Sequence, residues 1–185
     1  MKQTIALLAG LMVAGSLCAQ GLVNFRNSPT GAVIDSTTGE KAAAGVALAG
    51  LYFNTDLNAT PDLDVANDGW MLAGTTPVTG AFGGGIYSGG NTGIPGVAGA
   101  TEVLLQVRAW SEAFASYEDA YRGGGLIGGS NVMNVTLARP GTTDPVPSLA
   151  SLVSGFTMTP VPEPSTIVLG LLGGLGAMVL LRRRK

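Results

Sequence analysis

The stretch of sequence that decides the fold reads Thr101-Glu102-Val103-Leu104-Leu105-Gln106-Val107-Arg108-Ala109-Trp110. Its odd-numbered positions from 103 to 109 are all aliphatic, whereas the even-numbered positions include Glu102, Gln106 and Arg108. Alternation with a period of two is typical of a β-strand that buries one face and exposes the other to water. Trp110 falls on the more polar face. We therefore expect a β-rich domain around this strand, and the Trp110 ring either packs in that domain or contacts a ligand.

The stretches around this strand also favour a β-rich fold. Strands are predicted at 22–25, 46–53 and 131–137, and the second of these is apolar on both faces, as a central strand is. A short helix is predicted over 111–121, and the glycine-rich residues 80–100 predict a long surface loop. The expected fold is mainly β: an antiparallel β-sandwich-like domain with one short helix.

Composition excludes several classes of function. The chain contains no histidine, which rules out Ser-His-Asp chemistry, Cys-His chemistry and histidine-ligated zinc. Residues 20–160 carry five basic and eleven acidic side chains, a net charge of −6. A negative domain of this kind has no electrostatic footprint for nucleic acid. We predict no nucleic-acid partner, no cofactor and no enzymatic activity.

The N-terminus has the form of a secretory signal peptide over residues 1–19. A basic n-region precedes the apolar residues 5–17, and small residues follow. Cleavage by signal peptidase is predicted between Ala19 and Gln20, and cleavage after Cys18 is the alternative. A lipoprotein with that cysteine lipidated is a further alternative, which the bulky preceding leucine disfavours. Ordinary cleavage leaves a mature chain that carries no disulfide.

The C-terminus combines an extended motif, an apolar run and a basic end. Residues 167–181 are fifteen uncharged residues, which span roughly 22 Å as a helix and predict a single, short transmembrane segment. Basic residues at its end favour the cytoplasmic side, so the bulk of the chain would lie outside. The predicted sorting motif is Val161, Pro162, Glu163, Pro164 and Ser165, and the basic membrane-stop cluster is Arg182, Arg183, Arg184 and Lys185.

This ordered combination resembles the PEP-CTERM sorting signal of Gram-negative bacteria. The resemblance covers roughly 25 residues and places the family's signature tripeptide at 162–164. It implies an inner-membrane-anchored precursor, recognition by an exosortase that cuts near the motif, and transfer to the cell surface or release. The alternative is an ordinary tail anchor that follows a proline-bearing stalk by chance. The predicted organisation is a signal peptide over 1–19, an exported β-rich domain over 20–139, a stalk over 140–160 and the sorting signal over 161–185.

The sequence favours a structural or adhesive protein of the cell surface or extracellular matrix, with exopolysaccharide as a possible partner. A carbohydrate-binding module is the alternative, and Trp110 is then the predicted glycan contact because it lies on the wetter face of its strand. A hydrolase using paired carboxylates is a third hypothesis. Its clustered candidates are Glu102, Glu112, Glu118 and Asp119.

A polar segment between the strands raises the question of calcium. Asp62, Asp64 and Asp68 lie close together in sequence and could supply oxygen ligands. Their spacing does not fit an EF-hand, and aspartates are also common in solvated turns. A calcium site and a plain loop therefore both remain open at this point.

Overall fold

The computed structural model describes residues 20–63 and 68–161 of the chain. The predicted signal peptide, the apolar run and the basic end lie outside the described residues, as do Pro162 to Ser165 of the motif. The described part is mainly β with one short helix, and this part of the expectation is confirmed.

One continuous hydrogen-bonded sheet forms the domain. The strands are β1 Gln20–Arg26, β2 Val33–Asp35, β3 Glu40–Lys41, β4 Ala47–Asn54, β5 Met71–Thr79, β6 Ile86–Ala98, β7 Glu102–Ser111, β8 Leu126–Gly129, β9 Met133–Thr136 and β10 Phe156–Pro160. Their order is β1-β6-β5-β4-β7-β8-β10-β2-β3, with β9 beside β7. The pairs are antiparallel except for β10 with β2, which is parallel. A helix, α1, spans Tyr117–Arg122.

The open sheet curls over on itself, and backbone hydrogen bonds join strands near its two margins to distant parts of the chain. Leu22 and Ala138 exchange two backbone hydrogen bonds of 2.9 Å, which join β1 to the chain just after β9. The Val33 amide donates to the Gly85 carbonyl at 3.0 Å, which joins β2 to the chain just before β6. The enclosed core contains aliphatic and aromatic side chains from nearly every strand. The predicted pair of packed sheets is not confirmed, because the strands follow one path.

The central strand β7 is buried on both faces, which differs from the prediction. Every residue from Val103 to Trp110 is buried. The inward face packs in the enclosed core, and the outward face is covered by α1 and by the segment that follows β4. The covering helix begins later than predicted, at Tyr117, because the Ser116 hydroxyl accepts a hydrogen bond from the Asp119 amide and caps it there.

The predicted surface loop over 80–100 is wrong for most of its length. Residues 86–98 form β6, which pairs with β1 from Gln20 to Arg26. Backbone hydrogen bonds hold this strand, and they do not require large apolar side chains. The glycine content therefore concealed a strand rather than indicating a loop.

The predicted stalk over 140–160 is also wrong at its C-terminal half. Leu149 lies in a short 3₁₀ helix and is fully buried, and β10 lies between β8 and β2. Phe156 and Met158 point into the core with a period of two, a signal that the surrounding prolines and polar residues obscured. The folded domain therefore continues to the start of the sorting motif.

None of the helices among residues 20–63 and 68–161 has the length and apolar character needed to cross a membrane.

Candidate functional site

The outward face of β7 holds a buried arginine. Arg108 is fully buried, and its two terminal nitrogens donate to the two carboxylate oxygens of Asp68 at 3.2 and 2.5 Å. Its Nε donates to the Gln106 side-chain oxygen at 2.9 Å, and the Gln106 amide donates to the Ser130 carbonyl at 3.1 Å. The two-point contact fixes the loop that carries Asp68 against the centre of the sheet.

Three aromatic rings surround the guanidinium group. Its central carbon lies 4.6 Å from the ring centroid of Tyr52, 5.3 Å from that of Tyr117 and 5.8 Å from that of Trp70. Planar guanidinium groups stack favourably on aromatic faces, above all away from water. Arg108, Asp68 and these three rings are named the arginine cluster below.

The protonation states of the cluster follow from its contacts. Burial raises the pKa of the Asp68 carboxyl, but hydrogen bonds from Arg108 and from the Asp62 and Trp70 amides, with the arginine's charge, outweigh it. The net pKa of Asp68 is lowered. Burial first, and then the neighbouring Glu118 carboxylate, raises the pKa of the Tyr52 hydroxyl. At neutral pH the Asp68 carboxylate is therefore ionised beside the Arg108 guanidinium group, and the Tyr52 hydroxyl keeps its proton.

The arginine cluster bears on the calcium hypothesis. Both oxygens of Asp68 face the guanidinium group, and one of them also accepts a hydrogen bond from the Asp62 amide at 3.0 Å. A cation here would have to displace a buried arginine. Asp64 lies outside the described residues, and no metal-binding group of three acidic, cysteine or histidine side chains occurs among the residues described. Asp68 is therefore a partner of Arg108 in this structure, and calcium binding by Asp62 and Asp64 stays a prediction.

Trp110 is not an exposed ring. It is fully buried, its indole Nε1 donates to the Phe114 carbonyl at 3.1 Å, and its ring lies edge-on to Tyr117 with centroids 6.4 Å apart. The prediction of a glycan contact at Trp110 is wrong. The side chain faces away from the core, as expected, but α1 and the residues before it cover that face.

A cleft of about 270 Å³ lies between α1 and the β8–β10 pair. No charged side chain lines it, and the Tyr117 hydroxyl at its wall donates to the Leu63 carbonyl at 2.8 Å. The lining residues are Leu63, Tyr117, Ile127, Gly128, Gly129, Phe156, Thr157 and Thr159. This lining offers apolar contact and two threonine hydroxyls, and it supplies no acid, base or nucleophile pair.

Two of the four carboxylates of the hydrolase hypothesis lie at opposite ends of β7. Glu102 begins β7 and Glu112 follows its last residue, so about 30 Å of strand separates them. Glu118 accepts a hydrogen bond from the Tyr52 hydroxyl at 3.4 Å, and Asp119 is exposed in the first turn of α1. A glycosidase pair must face one cleft at roughly 5–10 Å, which Glu102 and Glu112 do not.

The sorting motif begins where the sheet ends. Pro160 is the last residue of β10 and pairs with Leu126, and the next amide, that of Val161, donates to the Gly125 carbonyl at 3.1 Å. The Val161 side chain is half-buried and packs against the apolar cluster on the outward face of β7, which includes Tyr117 and Trp110. At the other end, Gln20 is the first residue of β1.

Sequence reasoning did not predict the arginine cluster. The available signal was an arginine inside a strand whose neighbours are nearly all apolar, since a buried cation needs a carboxylate partner. The partner could not be chosen among several aspartates without knowing how the segment after β4 folds back.

The comparison with known proteins matches the end of the chain. The family model of the PEP-CTERM protein-sorting motif matches residues 160–185. No curated protein and no solved structure matches the chain significantly. The motif indicates an exported protein of a Gram-negative bacterium with a membrane-associated precursor that an exosortase processes. Residues 160–185 of the chain are therefore a PEP-CTERM protein-sorting motif.

Proposed function

We propose that residues 20–161 form a non-enzymatic structural or adhesive component of the cell surface or extracellular matrix, which exosortase processing delivers there. The observation that carries the proposal is the position of the motif. Val161 follows β10 directly and is hydrogen-bonded to Gly125, so a cut near the motif would separate one intact domain from the membrane.

The use of the polar side chains supports a structural role. Arg108 and Asp68 bind each other, Gln106 bridges Arg108 to the backbone, and the candidate carboxylates Glu102 and Glu112 lie at opposite ends of β7. Arg108 and Gln106, the buried polar side chains on the outward face of β7, thus stabilise the loop above it.

The position of β1 supports removal of a signal peptide. Gln20 begins β1 and pairs with Ala98 of β6. Cleavage between Ala19 and Gln20 would leave the first strand complete, and the precursor would then be held in the inner membrane by its tail alone.

Intact mass spectrometry tests the processing at both ends. The protein would be isolated from an exosortase-positive host as wild type, as Glu163→Ala and as the control Glu40→Ala, which alters an exposed acid on β3. We expect the wild type and Glu40→Ala to lose both ends, and Glu163→Ala to keep its chain through Lys185. A wild-type protein that keeps its tail would overturn exosortase processing and leave a simple tail anchor.

Fractionation of the same cultures tests the role. A matrix component should co-purify with the extracellular matrix and sediment with exopolysaccharide prepared from the host. Recovery of the processed protein entirely as a free species in the medium would contradict the structural and adhesive proposal while leaving the sorting result untouched.

A further inference from the structure

The strand pairing brings the exit of the tail and a glycine-rich loop to one end of the sheet. Val161 bonds Gly125 beside the start of β8, and the Leu126 amide donates to the Ser111 hydroxyl at the end of β7. The Glu112 amide then donates to the Val46 carbonyl at 3.0 Å, just before β4. Loop 80–85 joins β5 to β6 at this same end, because β5 and β6 are antiparallel neighbours of β4 in turn. This end is named the tail end.

Loop 80–85 presents a phenylalanine to the outside. Phe82 is 79% exposed, more than any other exposed large hydrophobic side chain among the described residues. Its φ of 51° is in the left-handed region, which bulky residues rarely adopt. The loop is held at its base, because the Gly85 amide donates to the Ala42 carbonyl at 2.7 Å and the Gly85 carbonyl accepts from Val33. The ring is thus mostly exposed on a loop whose base is hydrogen-bonded to the domain.

The length of chain beyond Val161 limits how far the tail end can be from the bilayer. Five residues, 162–166, separate Val161 from the apolar run at 167–181. Fully extended, they reach about 17 Å. Across the sheet, β10 and β5 are four strand spacings apart, about 19 Å along the curved surface. Phe82 and the entry point of the tail are therefore close enough to meet the same membrane surface.

We propose that Phe82 contacts the lipid interface in the tail-bearing precursor, so that the domain is held with its tail end towards the membrane. The inference rests on the membrane-anchored precursor of the proposed function. Burial of an apolar ring at the boundary between headgroups and acyl chains lowers the free energy of the membrane-bound protein. The neighbouring tail anchors the protein in the bilayer. One ring gives too little apolar area for stable binding by itself, so removal of the tail frees the domain.

Tryptophan scanning with brominated lipids tests this orientation. The full tail-bearing precursor would be purified from an exosortase-negative host as Phe82→Trp and as the matched control Met71→Trp. Met71 is 50% exposed at the start of β5, about 25 Å of strand from the tail end. Each protein would be reconstituted into phosphatidylcholine–phosphatidylglycerol vesicles with plain or brominated acyl chains. The two native indoles are buried, so the added ring accounts for differences from the parent.

The inference predicts flotation of all proteins with the vesicles, quenching of the added emission at position 82 at least twofold, and no added quenching at position 71. Equal quenching at both positions, or none at 82, would overturn the orientation while leaving the anchor intact. Blue-shifted emission at 82 without bromine quenching would show that the added ring packs against protein rather than lipid, and would overturn the orientation as well. Failure to float would overturn the anchored precursor, and with it this inference.

Discussion

Removal of the Asp68 carboxylate is the most direct perturbation of the arginine cluster. The change Asp68→Ala leaves the Arg108 charge on a central strand, fully buried, with its two terminal nitrogens deprived of their acceptors. The Asp62 and Trp70 amides lose the same carboxylate as acceptor. Arg108 is held between Tyr52 and Tyr117, so it cannot move to water unless the segment above β7 opens.

The expected magnitude follows from the burial of the pair, whose side chains are 0% and 5% exposed. Breaking a buried ion pair by removing one partner costs about 3–5 kcal/mol, because an uncompensated charge stays inside. Replacing both partners together by apolar residues is often near neutral. We therefore expect Asp68→Ala to lower the free energy of unfolding by about 3–5 kcal/mol, and the double variant Arg108→Met with Asp68→Ala to recover much of that loss.

Urea unfolding of the processed protein, followed by tryptophan fluorescence, measures these changes. The chain has two tryptophans, Trp70 and Trp110, and both lie in the apolar cluster around Arg108, so the emission reports on this region directly. The control Asp144→Ala removes an exposed loop carboxylate and should change the free energy by less than about 0.5 kcal/mol. An Asp68→Ala variant as stable as this control would refute the reasoning, as would a double variant that is less stable than Asp68→Ala.

Three further predictions concern the same fold. Folding lowers the pKa of Asp68 from 3.8, so the stability that its carboxylate contributes is complete above about pH 4 and is lost as the pH falls through the folded pKa. Urea titrations from pH 6 to pH 2 should therefore show a steeper loss of unfolding free energy for the wild type than for Asp68→Asn. Parallel curves for the two proteins would contradict this. Gly128→Ala places a Cβ 2.5 Å from the Thr157 carbonyl oxygen and should lower the free energy of unfolding in urea by about 1–3 kcal/mol. The control Gly80→Ala, whose Cβ would lie 3.8 Å from its nearest neighbour, should be nearly neutral. Equal stabilities of these two variants would argue against the close β8–β10 contact. Ser116→Ala removes the N-cap of α1 and should lower the free energy of unfolding, measured by thermal unfolding, by about 1 kcal/mol. Ser116→Asp should recover most of that loss. An unchanged thermal midpoint for Ser116→Ala would show that the cap is not needed.

The sequence was informative where side-chain periodicity was strong. The strands at 46–53 and 101–110 were predicted within a residue or two, because apolar side chains mark them. β6 and β10 were not predicted, and the reason differs between the two strands. Glycines in β6 leave few side chains to show a period, and the pattern of β10 is only five residues long and ends in proline.

The burial of the outward face of β7 could not be predicted from its own residues. Alternation of polar and apolar residues indicates only that the two faces of a strand differ in polarity. Gln106 and Arg108 satisfy their polar groups internally, and Trp110 reaches the Phe114 carbonyl, because a segment far along the chain folds over them. That covering depends on Asp68, which is forty positions away from Arg108 in sequence, and a local pattern contains no information on such a pairing.

Because the sorting motif follows β10 directly, a processing enzyme can gain extended chain before the motif only by detaching residues of β10 from the sheet. Only Thr159 and Pro160 of β10 pair with β8, and proline donates no backbone hydrogen bond, so detaching these residues sacrifices few contacts. Freeing Val161 removes one further hydrogen bond, worth about 0.5–1.5 kcal/mol. Met158 is fully buried and would stop further peeling, since exposing it costs about 1.5–3 kcal/mol. An enzyme that needs two extended residues before the motif can therefore obtain them while the core stays closed.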